Sequence, residues 1–332
     1  MPYSMHRTKL AKIARLGHRA VSDIVAPYRF GFNVESVGAA RTPQWLYSLN
    51  YTRHGMEQHY GMKRDAKGIV MMSHYVDHDE AGHYYSPVKI AHYALGAWND
   101  HIRGDAGARA DFMAARDWLM QNREPVAGAF VWRTPTTNRR YDLPANYTSA
   151  IVQGLILSVL ARSLVWDDDP EVRAVIEGAA AFFHCRVADG GILADSPYGT
   201  FYEEYPCAPP SHVVNGFMFS LNGLWDAAQM GSATALERYT AAVPTLYKLL
   251  PAWITQHWSY YDLRYGYDPA KANLATRHYQ YLHVDQLKFF AAVDCSDQLA
   301  LAVTRLEKQM RNPIYWFSAY LNKCRGLIGK SI

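Results

Sequence analysis

The chain lacks most of the features that announce common functions. Its 4 cysteines (Cys185, Cys207, Cys295 and Cys324) show no CxxC spacing, which argues against a zinc knuckle and against a dense disulfide framework. They read as reduced or incidental thiols. Charged residues make up only 19% of the 332 residues, the net charge is +4, and no basic run beyond the N-terminus exceeds a few residues. No nucleic-acid partner is expected, and an acidic polymer is mildly favoured. Neither GxGxxG opening a helix nor GxxxxGK[ST] occurs, so no nucleotide cofactor is expected. The longest largely apolar stretch, Ala150 to Ala161, falls short of the about 20 residues that span a bilayer, so no transmembrane segment is expected. Met1 to Arg29 is basic and lacks the continuous apolar core of a signal peptide. It fits a solvated helix, or one that touches an anionic membrane surface. A cytoplasmic location follows as the expectation.

Aromatic residues are plentiful, with 24 tyrosines and 9 tryptophans. Their faces suit sugar rings and also fill cores. Length allows one large domain or two ordinary ones. Residues 1–27 read as a helix ending near Pro27, and residues 28–85 as strands and irregular turns punctuated by glycine, with Gly68 to Val76 as one strand. From Ser86 the period becomes helical. Ser86 is expected to cap and Pro87 to occupy the first turn. Further helices are expected over Asp111–Gln121, Ser149–Trp166, Pro170–His184, Val214–Ala228, Ala233–Leu250 (broken at Pro244), Tyr281–Val293 and Asp297–Arg311. Asp167, Asp168 and Asp169 read as a loop and a cap. Helices apolar nearly all round alternate with amphipathic ones. That is what a ring of helical hairpins, an (α/α) toroid, would produce. The expected organisation is an N-terminal unit over 1–85 and a mainly α catalytic domain over 86–332.

The densest cluster of proton-handling groups is Phe201 to Leu221, FYEEYPCAPPSHVVNGFMFSL. Glu203 and Glu204 lie between Tyr202 and Tyr205, before a proline-rich turn and a helix opening near Asn215. Four other segments are distinctive: SPVKIAHYALGAW (Ser86–Trp98), YTSAIVQG (Tyr147–Gly154), Tyr261-Asp262-Leu263-Arg264, and NLATRHYQYLHVDQL (Asn273–Leu287). In this order and spacing the five resemble the D-glucuronyl C5-epimerase family in its C-terminal catalytic domain, over roughly residues 84–310. The resemblance implies an isomerase that interconverts D-glucuronate and L-iduronate within a polysaccharide, heparosan by default or another uronate-containing glycan. It also implies a bacterial setting for a chain without the anchor of Golgi relatives.

Such chemistry removes the C5 hydrogen beside a carboxylate and returns a proton to the other face. It needs a base, an acid and groups that stabilise the growing charge, and no cofactor or metal. By resemblance Glu204, Tyr205, Tyr261 and Tyr279 are the catalytic candidates, with Glu204 and Tyr279 as the two proton carriers. A tyrosine base, with a reference pKa of about 10, would need a cation to lower it, and Arg264, Arg277 and His278 are candidates. Arg264 is the first candidate for the uronate carboxylate. Asn215, Asn273 and His283 match further substrate-contacting positions, with Gln153 and Arg133 behind them. Three departures stand out: Gln280 where the family has histidine, Phe219 where animal relatives have tyrosine, and Gly128-Ala129-Phe130 where the family has Gly-Gly-Trp-Pro.

Each candidate also has a plain structural reading. The two glutamates fit a helix start, and Tyr261–Arg264 fits a turn with a local Asp–Arg pair. His278 and His283 are not spaced as a helical metal pair. His74, His78 and His83 read as a polar loop rather than a metal site. Two other functions use the same residues: a polysaccharide lyase acting on a uronan, and a non-catalytic glycan-binding protein. Tyr315, Trp316 and Phe317 fit either a homodimer contact or the core.

Overall fold

The computed structural model describes residues 49–73, 82–264 and 273–328 together with Val21, with side chains described as far as residue 321. The remainder of the expected N-terminal helix, the segment 28–48, and His74 and His78 lie outside the described residues. His83 is described, in a short exposed strand.

The described chain is mainly helical. In order, the helices are α1 (Arg53–Tyr60), α2 (Pro87–Ile102), α3 (Ala108–Gln121), α4 (Ala150–Ser163), α5 (Pro170–Ala181), α6 (Val214–Gln229), α7 (Ala233–Trp253), α8 (Arg277–Val293), α9 (Asp297–Arg311) and α10 (Pro313–Ile328). The minor β component comprises β1 (Lys63–Arg64), β2 (Val70–Ser73), β3 (His83–Tyr84), β4 (Glu124–Val126), β5 (Ala129–Val131), β6 (Leu193–Ser196), β7 (Gly199–Tyr202), β8 (Tyr260–Asp262) and β9 (Asn273–Leu274). These strands pair with one another antiparallel; β1–β2–β3 form one small sheet and the others pair as β4–β5, β6–β7 and β8–β9.

The helices pack in pairs: α2 on α3, α4 on α5, α6 on α7, α8 on α9. The first members of these pairs also pack on one another as a row, α2 on α4, α4 on α6, α6 on α8. That row explains the composition. Helix α4 has neighbours on several sides and is buried along nearly its whole length. Where α4 crosses α6 the backbones touch. A Cβ on Gly154 would strike the backbone of Phe219 and Ser220, and one on Gly223 the carbonyl of Gly154. Only glycine permits this approach. A buried ion pair fixes the same crossing, Arg162 Nη1 donating to Asp226 Oδ2 at 2.6 Å. The established packing is a row of antiparallel helix pairs, a coarser architecture than the closed ring read from the sequence.

Several local expectations change. Helix α7 continues through Pro244 and Pro251 to Trp253. Both prolines, and Thr240 one turn before Pro244, lie on the exposed face, where a carbonyl released from the helix meets water, while Thr245, Leu246 and Leu249 hold the other face in the core. Ser86 stands at the N-cap of α2 but its side chain makes no capping bond. Asp169 does cap α5, accepting from Glu171 N at 2.8 Å. Helix α1 lies within the segment expected to be strands and turns. Its sequence signals are Thr52 as the N-cap and Gly61 in the left-handed conformation after its end. Helix α8 begins at Arg277, four residues before the expected Tyr281, so His278 and Tyr279 ride on a helix rather than a loop.

Candidate active site

The end of β7 and the starts of α2, α4, α6 and α8 converge on a cavity of about 210 Å³. Glu204 reaches it from the segment after β7, Asn215 and Phe219 from α6, His278 and Tyr279 from α8, and Tyr147 from the stretch before α4. The N-terminus of α4 sets the height of Glu204. Ala150 N–H donates to the Glu203 carbonyl at 3.0 Å, and Ser149 Oγ donates to the Glu204 carbonyl at 2.7 Å. Gly216 on α6 leaves the space that the Glu204 side chain fills, since a Cβ there would fall on the carboxylate. The absence of a side chain at 216 therefore places the acid.

The two neighbouring acids part completely. Glu203 is fully buried and points away from the cavity. Its carboxylate accepts from Ser211 Oγ at 2.5 Å and from His212 N at 3.0 Å, and contacts His212 Nδ1 at 2.6 Å. It pins the turn containing the cis Ala208–Pro209 bond. Glu204 is also buried, at 5% exposure, yet its Oε2 has no hydrogen-bond partner among the described residues. Burial pushes its carboxyl up to about 7, opposed by hydrogen bonding from Tyr205 and by the Lys89 cation.

Tyrosines surround this acid. Tyr205 stacks on Tyr141, with ring centroids 4.3 Å apart, and Tyr261 meets Tyr279 edge-on at 4.6 Å. Burial, reinforced by the Glu204 charge, raises Tyr205 and Tyr261 well above the ordinary phenol value and Tyr147 to about 12. These phenols therefore hold their protons at neutral pH. A tyrosine lowered by a cation, as expected for a base, is not what the surroundings of Tyr205 and Tyr261 produce. Set against these phenols, Glu204 is poised to gain or lose a proton near neutrality.

The other candidates divide between cavity and scaffold. Asn215 lines the cavity and its buried Oδ1 has no partner among the described residues. His278 lines it too, stacked on His59 at 5.6 Å. Asn273 instead donates to Asp262 at 2.5 Å, and Tyr141 donates to the same carboxylate at 2.8 Å, tying β8 and β9 behind the site. His283 is fully buried against Trp253, with Nδ1 3.0 Å from Ser259 Oγ, and burial beside His278 drives its pKa down to about 3. Gln153 donates to Phe130 O at 2.9 Å and accepts from Trp132 N at 3.2 Å, fixing β5 to α4. Arg133 pairs with Glu124 at 2.8 Å on the surface. Arg264 donates to Arg140 O at 3.2 Å and lies 5.6 Å from the Tyr141 ring centroid; Arg277 faces Trp316 and Tyr281. None of these last six lines the cavity. Gln280 is likewise internal, accepting from Ser259 Oγ at 2.5 Å and donating to Gln309 at 3.1 Å.

Sequence reasoning missed Lys89 and His92. Both lie on the first turns of α2, inside a segment noted for its apolar spacing, and both line the cavity. Their positions three apart were the available signal that they share a face. His92 meets Phe219 edge-on at 5.6 Å, and burial next to Lys89 drives its pKa well down, so it is neutral. Among the described residues no cluster of three or more His, Cys, Asp or Glu side chains is arranged to hold a metal, and no helix is long and apolar enough to cross a membrane.

The family described as D-glucuronyl C5-epimerase C-terminus matches residues 128–307, more than half of the chain. A D-glucuronyl C5-epimerase from Caenorhabditis elegans is 33% identical over 211 residues, which cover 58% of this chain and 34% of the relative. The chain thus spans about a third of that protein's length. Among solved structures, an unsaturated glucuronyl hydrolase responsible for the degradation of glycosaminoglycan, from Bacillus sp. GL1, aligns over 70% of this chain and 61% of that one, with a TM-score of 0.45 and 20% identity. That likeness is too slight to bear on fold or function. The family match decides: the chain belongs to the D-glucuronyl C5-epimerase C-terminal family.

Proposed function

We propose that this family member is a polysaccharide uronate C5-epimerase that acts without a cofactor. The observation that carries the proposal is the Glu204 carboxyl, held near neutral pKa in a cavity it shares with Tyr205, Tyr147 and Tyr279. Glu204 as carboxylate accepts the C5 proton on one side of the sugar. A protonated tyrosine, assigned to Tyr279, returns one from the other side. Tyr205 hydrogen-bonds the Glu204 carboxyl and steadies its charge, and Tyr261 packs against Tyr279 from behind. Return to the opposite face inverts C5, and return to the same face regenerates the starting sugar. The row of helix pairs is read as part of an (α/α) toroid whose central cleft admits the chain. The substrate is a glucuronate-containing polysaccharide, with heparosan the first to test.

The experiment is NMR of heparosan incubated with the protein in deuterated water. Deuterium at C5 with new iduronate signals is the expected result. Unsaturated chain ends would identify a lyase, which shares the C5 abstraction and then expels the 4-linked sugar. Binding without exchange or cleavage, on heparosan and on other uronans, would leave a glycan-binding protein. Tyr279→Phe should abolish iduronate formation and spare glycan binding.

A further inference from the structure

Lys89 lies outside the family-matched residues 128–307, yet it enters the same cavity as Glu204. It is the one lysine or arginine among the described residues that line the cavity. Its position is electrostatically unfavourable. It sits in the first turn of α2, where the helix dipole disfavours a cation. No carboxylate lies within ion-pair distance of it among the described residues, and its ammonium rests over the Tyr60 ring, 3.3 Å from the centroid. Burial pulls its pKa down to about 7, against the pull of Glu204. A buried cation at the positive end of a helix gains most from an anion brought in from outside. Arg264 and Arg277 make contacts outside the cavity and neither lines it.

We propose that Lys89 binds the carboxylate of the uronate unit and so seats C5 against Glu204. This assignment rests on the uronate reading of the site. The ammonium offsets the repulsion between the substrate carboxylate and ionised Glu204. It also stabilises the charge that grows on the carboxylate as C5 is deprotonated. Asn215, with its unpartnered buried Oδ1, is placed to accept from a sugar hydroxyl in the same cavity. A compact ammonium makes a point contact, so the site selects for a carboxylate and not for a planar bidentate group.

The test compares binding of a heparosan oligosaccharide and its carboxyl-reduced counterpart by calorimetry, on wild type, Lys89→Met and Lys89→Arg. Loss of a charge-assisted contact predicts that Lys89→Met weakens the carboxylated ligand about tenfold or more and leaves the reduced one unchanged. Lys89→Arg should retain the preference in part. Equal weakening of both ligands, an unchanged preference in Lys89→Met, or no carboxylate preference in the wild type overturns the assignment. The readout needs no turnover, so the two proposals can fail separately. C5 exchange by wild type together with an unchanged preference in Lys89→Met removes only the role of Lys89. A Lys89-dependent preference with no exchange on any uronan tried removes only the epimerase.

Discussion

Two regions flank one peptide bond. On the Glu203 side lies a closed scaffold, a fully buried carboxylate held by Ser211 and by the backbone and ring of His212. On the Glu204 side lies a cavity, with a buried carboxylate left short of a partner and surrounded by phenols. The difference teaches that burial alone does not make a reactive acid. Donors surround the carboxylate of Glu203. Their scarcity at Glu204 lets desolvation dominate, which brings that carboxyl into the range useful for moving protons.

Exchanging each acid for its amide should separate the two roles most sharply. Glu204→Gln is expected to lower C5 exchange by about 10²–10⁴-fold, the range for a positioned acid or base, while the protein stays folded. Glu203→Gln should act through stability, lowering it by about 1–3 kcal/mol in chemical denaturation because its donors lose their charged acceptor. Loss of exchange at full stability in the Glu203 variant would invert the comparison.

Gly216→Ala probes the space that exposes Glu204. The added Cβ falls on the carboxylate, so an activity loss of about 10²-fold is expected with a much smaller change in melting temperature. Unchanged activity would mean that the position of Glu204 is not critical.

The pH profile of kcat/KM sharpens the electrostatic side. Glu204 must be ionised to act as base, so activity should rise as pH passes about 7. Lys89 must be protonated to hold a carboxylate, so activity should fall as pH rises beyond about 7. A narrow bell near neutrality is expected, with the alkaline limb abolished in Lys89→Met and the acid limb moved to higher pH. A broad plateau through neutral pH would contradict both assignments.

The smallest effect is on stability. The folded pKa of Glu204, about 7, lies above its ordinary 4.5, so the native state binds the proton more tightly. Its contribution is fully present below pH 4.5, is lost as pH rises toward 7, and stays lost above. Lys89 has the opposite sign. Its folded pKa of about 7 lies below 10.5, so stability returns as pH rises between those values. Glu204→Gln should flatten the acid-to-neutral decline, a change on the order of 1–3 kcal/mol by denaturant titration across pH.

The helices were legible because their apolar periodicity is local, and Asp169 before Pro170 announced its helix as expected. Pro244 misled because its effect depends on which face meets solvent, and that is settled by packing. Glu204, Tyr205, Asn215, His278 and Tyr279 were named from motif order and do meet at one cavity. Asn273, Gln153 and His283 belong to the same motifs but brace the scaffold, a distinction that spacing cannot express.

The sequence by itself determined the helix-rich class, the family and most of the segments that contribute to the site, though not those that bring Tyr51, Tyr60 and Thr134 to it. These depend on residue order along the chain. Tertiary structure alone decided which of two adjacent glutamates keeps a buried oxygen without a partner among the described residues and that Lys89 shares its cavity. The first depends on how the chain turns back after the acids, bringing the donors of Ser211 and His212 to one and the open space at Gly216 to the other, the second on helix α2 packing beside them from more than a hundred residues away, and desolvation is a property of that assembled surrounding.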